Sequence, residues 1–318
     1  MSQVAIRTPS RLHFSLIDLN GEVGRIDGSV GLTISQPEFR IVAQTADSIL
    51  INSGQYNDRA QKVVEKLKKK YNFPGINIDI SSEIPAHHGF GSGTQISLGI
   101  AEAINELYNL KQSVQELAVA VGRGGTSGIG ITAFEQGGFI LDGGHKYPNQ
   151  KSSFLPSSAA EKVTPPPLLI RRDFPDWDIL IVIPDCPQIS GETEVNLFKT
   201  LCPQPEYTAS RLSHLILMKM IPAIFEADLH AFCDAINQIQ TFGWKRVEID
   251  ARGEVLQSTL DFLLDNGALG AGVTSWGPAI FAFSENIDDL YQHTKHFLRL
   301  KPENCFITKA DNFGASLE

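Results

Sequence analysis

The segment Ile84-Pro85-Ala86-His87-His88-Gly89-Phe90-Gly91-Ser92-Gly93-Thr94-Gln95 constrains this chain more than any other. Alternating Ile76, Ile78 and Ile80 predict a strand that ends near Ser82. Leu98, Ile100, Ile104 and Leu107 predict a helix over 93–109. The glycines between them let backbone approach an anion closely, where a helix start offers unpaired N–H groups and the positive end of its dipole. Ser92 and Thr94 add hydroxyls that suit a phosphate oxygen or a metal ion. The plain alternative is a tight strand–helix connection. No Lys-Ser or Lys-Thr follows, and the glycine spacing is not that of the dinucleotide fingerprint, so both common nucleotide motifs are excluded.

The chain has 318 residues, enough for one large core or two packed domains, and its 42% hydrophobic and 20% charged residues are ordinary for a globular protein. A net charge of −9 makes nucleic acid an improbable partner, so phosphate binding must rest on local amides, a few arginines and a divalent cation. The basic run Lys68-Lys69-Lys70 closes an amphipathic helix over 58–71 and reads as a solvated face. Cys186, Cys202, Cys233 and Cys305 have neither disulfide nor zinc spacing. No signal core or membrane-length apolar run is visible, so a soluble, cytoplasmic protein is expected.

Strands are predicted at 4–7, 12–16, 28–34, 39–43, 48–51 and 76–80, with helices at 58–71, 93–109 and 113–122 and a strand near 138–141. A polar stretch with Ser152, Ser153, Ser157 and Ser158 closes on Pro165-Pro166-Pro167 and marks the domain division, 1–165 and 166–318. The second half reads as a strand (177–183), helices at 207–226, 228–241 and 253–266, strands around 269–273 and 279–283, a helix at 286–298 and a last strand near 304–308. That is an α+β sandwich pattern.

Charged residues gather at three further places. Arg11, His13 and Ser15 share one face of the first strand, opposite Leu12, Phe14 and Leu16, as either an exposed sheet face or a polar site wall. Gly24-Arg25-Ile26-Asp27-Gly28 adds a cation and a carboxylate in a loop. Gly122-Arg123-Gly124-Gly125-Thr126-Ser127-Gly128-Ile129-Gly130, with Glu135 beyond it, is either a flexible turn or a second wall of the anion site, with Glu135 a candidate metal carboxylate. Among His13, His87, His88 and His145, each more often a packing residue, His13 and His88 are the best placed to titrate. A third glycine cluster, Gly267 to Gly272, precedes a strand.

Taken in order, Pro9 to Gly21, Pro85 to Gly93 and Gly267 to Gly272 resemble the motifs of the GHMP kinase superfamily across nearly the whole chain. The resemblance implies an N-terminal domain with a left-handed βαβ unit, a ferredoxin-like C-terminal domain, and a ligand between them. The kinases carry an aspartate in a Ser-Gly-x-Asp turn that activates the acceptor hydroxyl; here the turn is Ser127-Gly128-Ile129-Gly130. Without that base a kinase would lose a factor of about 10²–10⁴.

The departures resemble one branch, the β-ribofuranosylaminobenzene 5′-phosphate synthase family. The match runs through Arg11 to Phe14, Ile17 to Gly21, Gly24 to Gly28, Gly91 to Gln95, Gly122 to Gly128, Phe139 to His145 and Gly191 to Glu194. It implies decarboxylating transfer of ribose 5-phosphate from phosphoribosyl pyrophosphate to 4-aminobenzoate or 4-hydroxybenzoate, in methanopterin-type biosynthesis, by a homodimer. On that resemblance, Gly89, Gly91, Ser92, Gly93 and Thr94 are expected to hold the pyrophosphate, with Mg²⁺ between Ser92 and Glu135. Arg11 or Arg25 would hold the benzoate carboxylate, Asp18 or Asp27 would face the developing cation, and His13, His88, Ser127 and Arg123 would line the site, Arg123 toward the 5-phosphate. Structural salt bridging is the alternative for each charged group.

Overall fold

A computed structural model describes residues 2–156, 163–186, 189 and 191–318, so Ser157 and Ser158 lie outside the described residues. The first sheet is built on two long strands, β1 (Gln3–Asp18) and β2 (Arg25–Ala46). Sequence reading split each in two, at Pro9 and near Pro37; both prolines are absorbed, with the β1–β2 register shifting between Thr8 and Ser10. β3 (Ile49–Asn52) leads through α1 (Asn57–Tyr71) to β4 (Gly75–Ser82), and β3 and β4 pair in parallel. Ala60, Val63, Val64 and Leu67 of α1 are buried, the stripe that its periodicity predicts.

Next come α2 (Ser92–Leu107), α3 (Val114–Val121), α4 (Ile129–Glu135), β5 (Phe139–Asp142) and β6 (His145–Lys146). The Ser113–Glu116 capping box fixes the start of α3. β7 (Leu168–Arg172) pairs with β5, and the C-terminal β12 (Ser316–Leu317) pairs with β1, so the first sheet also draws on chain beyond residue 165.

The second sheet holds β8 (Asp178–Val182), β9 (Gly270–Val273), β10 (Ile280–Phe283) and β11 (Cys305–Lys309) in the antiparallel order β11-β8-β10-β9, the ferredoxin-like arrangement. Its helices are α5 (Glu192–Leu201), α6 (Glu206–Leu215), α7 (Ile221–Glu226), α8 (Leu229–Gln240), α9 (Gly243–Asp250), α10 (Glu254–Asp265) and α11 (Ile287–Phe297). The helix expected over 207–226 is interrupted by a π-turn at Ile216–Met220. Pro222, just inside α7, has no N–H for the regular ladder, so the chain widens its turn there. Sequence reading did not anticipate α5 and α9.

The two halves share one core. Phe14 of β1 meets Phe281 of β10 at 5.0 Å and Phe232 of α8 at 5.9 Å, each ring worth roughly 1.5–3 kcal/mol of burial. Thr274, after β9, clamps the halves where the site lies: its Oγ1 accepts the His13 amide at 2.9 Å and donates to the Gly89 carbonyl at 2.9 Å. A Cβ at Gly277 would overlap the His88 carbonyl and the Gly89 amide. Gly277→Ala should therefore cost about 2–3 kcal/mol, because backbone rather than a flexible side chain must give way. Denaturant midpoints check this, and an unchanged midpoint would show the clamp to be loose.

Candidate active site

The Gly89–Gly93 loop opens into a cavity of about 760 Å³ that adjoins a smaller one of about 210 Å³. Arg11, Thr94, Arg123, Glu194, Ser275 and Trp276 line both and form the junction.

In the larger chamber cations close on the loop. Gly89 and Gly91 take positive φ (90° and 80°), the left-handed region that favours glycine, and turn the chain into α2. A Cβ at Gly91 would lie 2.9 Å from Arg11 Cγ, and one at Gly93 would overlap the Arg59 guanidinium with Arg123 Nη2 at 3.4 Å. Arg11, Arg59 and Arg123 thus converge on the first turn of α2, the positive end of the helix dipole. Burial lowers the pKa of Arg11 and of Arg123 to about 10, with Arg59 adding to the effect on Arg123; both stay charged at neutral pH. Three like charges held together call for an anion of more than one charge. The Ser92 hydroxyl lies against Tyr56, whereas Thr94 sits at the junction.

The smaller chamber has an aromatic wall. Phe198 and Trp276 line it, and Trp244 backs it, 4.1 Å from Phe198 and 5.7 Å from Trp276. His13 reaches it with its Nδ1 unpartnered, and burial, Arg11 and Lys245 push its pKa well down, so its ring is neutral. Glu248 lines it and is held at 2.5 Å by buried Lys245. Burial and Glu248 raise the pKa of Glu194 to about 7. Gly130, the last residue of the Ser127-Gly128-Ile129-Gly130 turn, also lines it and brings no side chain.

Among the described residues, ten buried polar side-chain atoms lack a hydrogen-bond partner, and six belong to His13, Arg123, Trp244 and Arg252 around this cavity. Arg252, 4% exposed, contributes three: its guanidinium lies 6.0 Å from the Trp276 ring and near Glu248 and Glu194. Unpaired buried donors cost about 1–3 kcal/mol each, so their gathering points to an anionic ligand. A hollow of similar size on α6 and α8, between Tyr207, Arg211 and Phe242, holds none of these orphaned atoms.

The structure brings Arg11, His13, Gly89, Gly91, Ser92, Gly93, Thr94, Arg123 and Ser127 together. It places five other candidates differently. Arg25 donates to the Gly143 and Gly144 carbonyls at 2.7 and 2.8 Å and braces that loop. Asp18 accepts the Asn20 and Gly21 amides at 2.8 and 2.9 Å, an Asx turn leaving β1. Asp27 is buried in an ion pair with Lys151 at 3.0 Å and a contact with His145 Nδ1 at 2.6 Å. His88 bonds the Ala86 carbonyl, and His87, not His88, lines the chamber. Glu135, at the far end of α4, faces Gln115 and Gln136 in a separate groove, so the Ser92–Glu135 metal pair is not assembled. Ser15, read only as sharing a strand face with Arg11 and His13, bonds the Leu16 carbonyl instead, because a register shift between His13 and Ser15 breaks the alternation.

Residues 58–138 match the family profile described as GHMP kinases N terminal domain. Among solved structures, the chain is similar to L. major mevalonate kinase in complex with R-mevalonate, with a TM-score of 0.70 at 16% identity over 96% of this chain and 95% of that one. It is also similar to Lactococcus lactis galactokinase complexed with galactose (TM-score 0.65, 13% identity, 99% and 95% covered). At such identities the likeness is one of fold. Two proteins named beta-ribofuranosylphenol 5′-phosphate synthase are much nearer in sequence. That of Methanothermobacter thermautotrophicus is 43% identical over 89% of each chain, and that of Archaeoglobus fulgidus 40% identical over 98% of this chain and 99% of its own. The chain belongs to the β-ribofuranosylphenol 5′-phosphate synthase family.

Proposed function

We propose that this protein transfers ribose 5-phosphate from phosphoribosyl pyrophosphate to the ring carbon of 4-hydroxybenzoate that bears the carboxylate, forming a C–C bond and releasing CO₂ and pyrophosphate. The observation that carries this reading is the adjoining pair of chambers: a cradle of three arginines at a helix start beside an aromatic-walled space to which Gly130 brings no side chain. The relatives' names specify a phenol product, which favours hydroxybenzoate over aminobenzoate.

The loop amides with Arg11, Arg59 and Arg123 bind the donor's pyrophosphate and stabilise the charge it gains as the anomeric C–O bond breaks. Phe198 and Trp276 set the plane of the acceptor ring and exclude water from the oxocarbenium-like centre. Arg11, at the junction, is placed to orient the acceptor carboxylate until CO₂ leaves and aromaticity returns. Ser92 and Glu194 are the residues that would hold Mg²⁺, beside the donor's own oxygens. One hydroxyl and one carboxylate suit an ion that keeps most of its shell for phosphate and water, and Glu194 replaces Glu135 in this role. When bound, Mg²⁺ withdraws charge from the leaving group.

Supplying Mg²⁺ with either ATP or phosphoribosyl pyrophosphate plus 4-hydroxybenzoate separates this reading from a kinase. CO₂ release with the second donor and no phosphate transfer from the first is expected. ATP-dependent phosphorylation without CO₂ would overturn it.

A further inference from the structure

Ser127 lines the smaller chamber, and its hydroxyl connects inward. Ser127 Oγ lies 2.6 Å from Ser29 Oγ, and Ser29 Oγ donates to Asp142 Oδ2. Asp142, 1% exposed, also accepts the Gly128 amide at 2.9 Å and the Gly144 amide at 3.0 Å. With Asp142 ionised, the direction of these bonds follows. Because Ser29 spends its proton on the carboxylate, Ser127 must donate to Ser29. Ser127 Oγ also accepts the Ile129 amide at 3.2 Å, which leaves one lone pair for a ligand in the chamber that Ser127 lines. A ligand group meeting Ser127 there must bring its own proton.

We propose that Ser127, Ser29 and Asp142 form a proton relay that accepts the phenolic proton of the acceptor during C–C bond formation. The proposal rests on the transferase reading and names the residues that replace the missing kinase base. As the ring attacks, the phenolic proton passes to Ser127, that of Ser127 to Ser29, and that of Ser29 to the Asp142 carboxylate. The freed electron pair on the phenol oxygen enriches the opposite ring carbon, which bonds to the anomeric carbon while the C–O pair leaves with pyrophosphate. The C–CO₂ bond then breaks, its pair restores the ring, and the relay returns the proton to the phenolate oxygen.

Burial raises the pKa of Asp142 to about 6, with the hydrogen bonds from Ser29, Gly144 and Gly128 opposing and Asp27 adding a smaller upward push. This suits a base that works at neutral pH. The other charged groups around it are accounted for: Asp27 is paired with Lys151 and His145, and Arg25 sits on the Gly143 and Gly144 carbonyls.

A comparison of two acceptors provides the test, because the amine of 4-aminobenzoate donates its lone pair to the ring without losing a proton. Ser29→Ala should slow turnover of 4-hydroxybenzoate about 100-fold, within the range of a lost general base, and that of 4-aminobenzoate less than about threefold. With hydroxybenzoate the wild-type kcat/KM should fall as pH drops below about 6, where Asp142 is protonated. That limb should vanish in Ser29→Ala and be missing for aminobenzoate, which shares every donor phosphate and histidine. Asp142→Asn should repeat the pattern, but it disturbs two amide contacts, so Ser29→Ala decides. Equal slowing of both acceptors would overturn the relay and leave the transferase reading standing. A wild type inert toward both would remove the transferase reading first, and the relay with it.

Discussion

Arg11→Met should lower kcat/KM for phosphoribosyl pyrophosphate by about 10²–10³, while the fold survives. The loss is that of one charge-assisted contact to a leaving group gaining negative charge inside a water-poor site. Three features single out this arginine. It lines both chambers, its backbone N–H ties β1 to Phe90 at 3.0 Å, and its guanidinium donates to the Gly89 carbonyl, so one residue both shapes the loop and faces its ligand. Stability should move little, because methionine keeps the stem that packs over Gly91 while a guanidinium that burial disfavours is removed. Arg11→Lys should recover only part of the activity, since a point charge lacks the planar fork. Thermal melts beside steady-state kinetics give the answer. Near-normal kinetics in Arg11→Met would take Arg11 out of the site, and a large fall in melting temperature would make it a brace only.

Local pattern carried the glycine loop, Arg11 and His13, because a strand–glycine–helix transition and a period of two are written in adjacent residues. Asp18 is spent locally, on an Asx turn with Asn20 and Gly21, and the same kind of signal failed for Arg25 and Asp27. A dense charge pattern beside a turn reads alike whether it faces substrate or braces the backbone. What decides is the partner: the Gly143 and Gly144 carbonyls for Arg25, and Lys151 and His145 for Asp27, all far away in sequence. Arg59 had the opposite fate. It sits near the start of an amphipathic helix whose closing lysines, Lys68 to Lys70, read as a solvated face, and only the packing of α1 beside α2 turns it toward Gly93. Arg252 gave no local signal at all, since an orphaned guanidinium is visible only once Trp276 covers it.

Asp27→Asn should destabilise the protein by about 3–5 kcal/mol, the cost of leaving one partner of a buried pair uncompensated. Asparagine keeps the shape and tolerates the φ of 66° at this position, so the effect isolates the charge. What it strands is Lys151, whose Nζ lies 3.0 Å from both Asp27 oxygens and whose side chain is 2% exposed. Burial already lowers the Lys151 pKa, and Asp27 is the chief influence holding it up. Without Asp27 the folded protein binds the Lys151 proton more weakly than the unfolded chain does. Stability then rises with pH, and the deficit should narrow between pH 7 and 9.5. At pH 7 the melting temperature should fall by roughly 10 °C. Adding Lys151→Met should restore most of the loss, because an apolar pair can replace a buried ionic one at little cost. In the cold, folded Asp27→Asn should still release CO₂ at a rate near that of the wild type. A variant that melts normally but has lost turnover would return Asp27 to the chemistry.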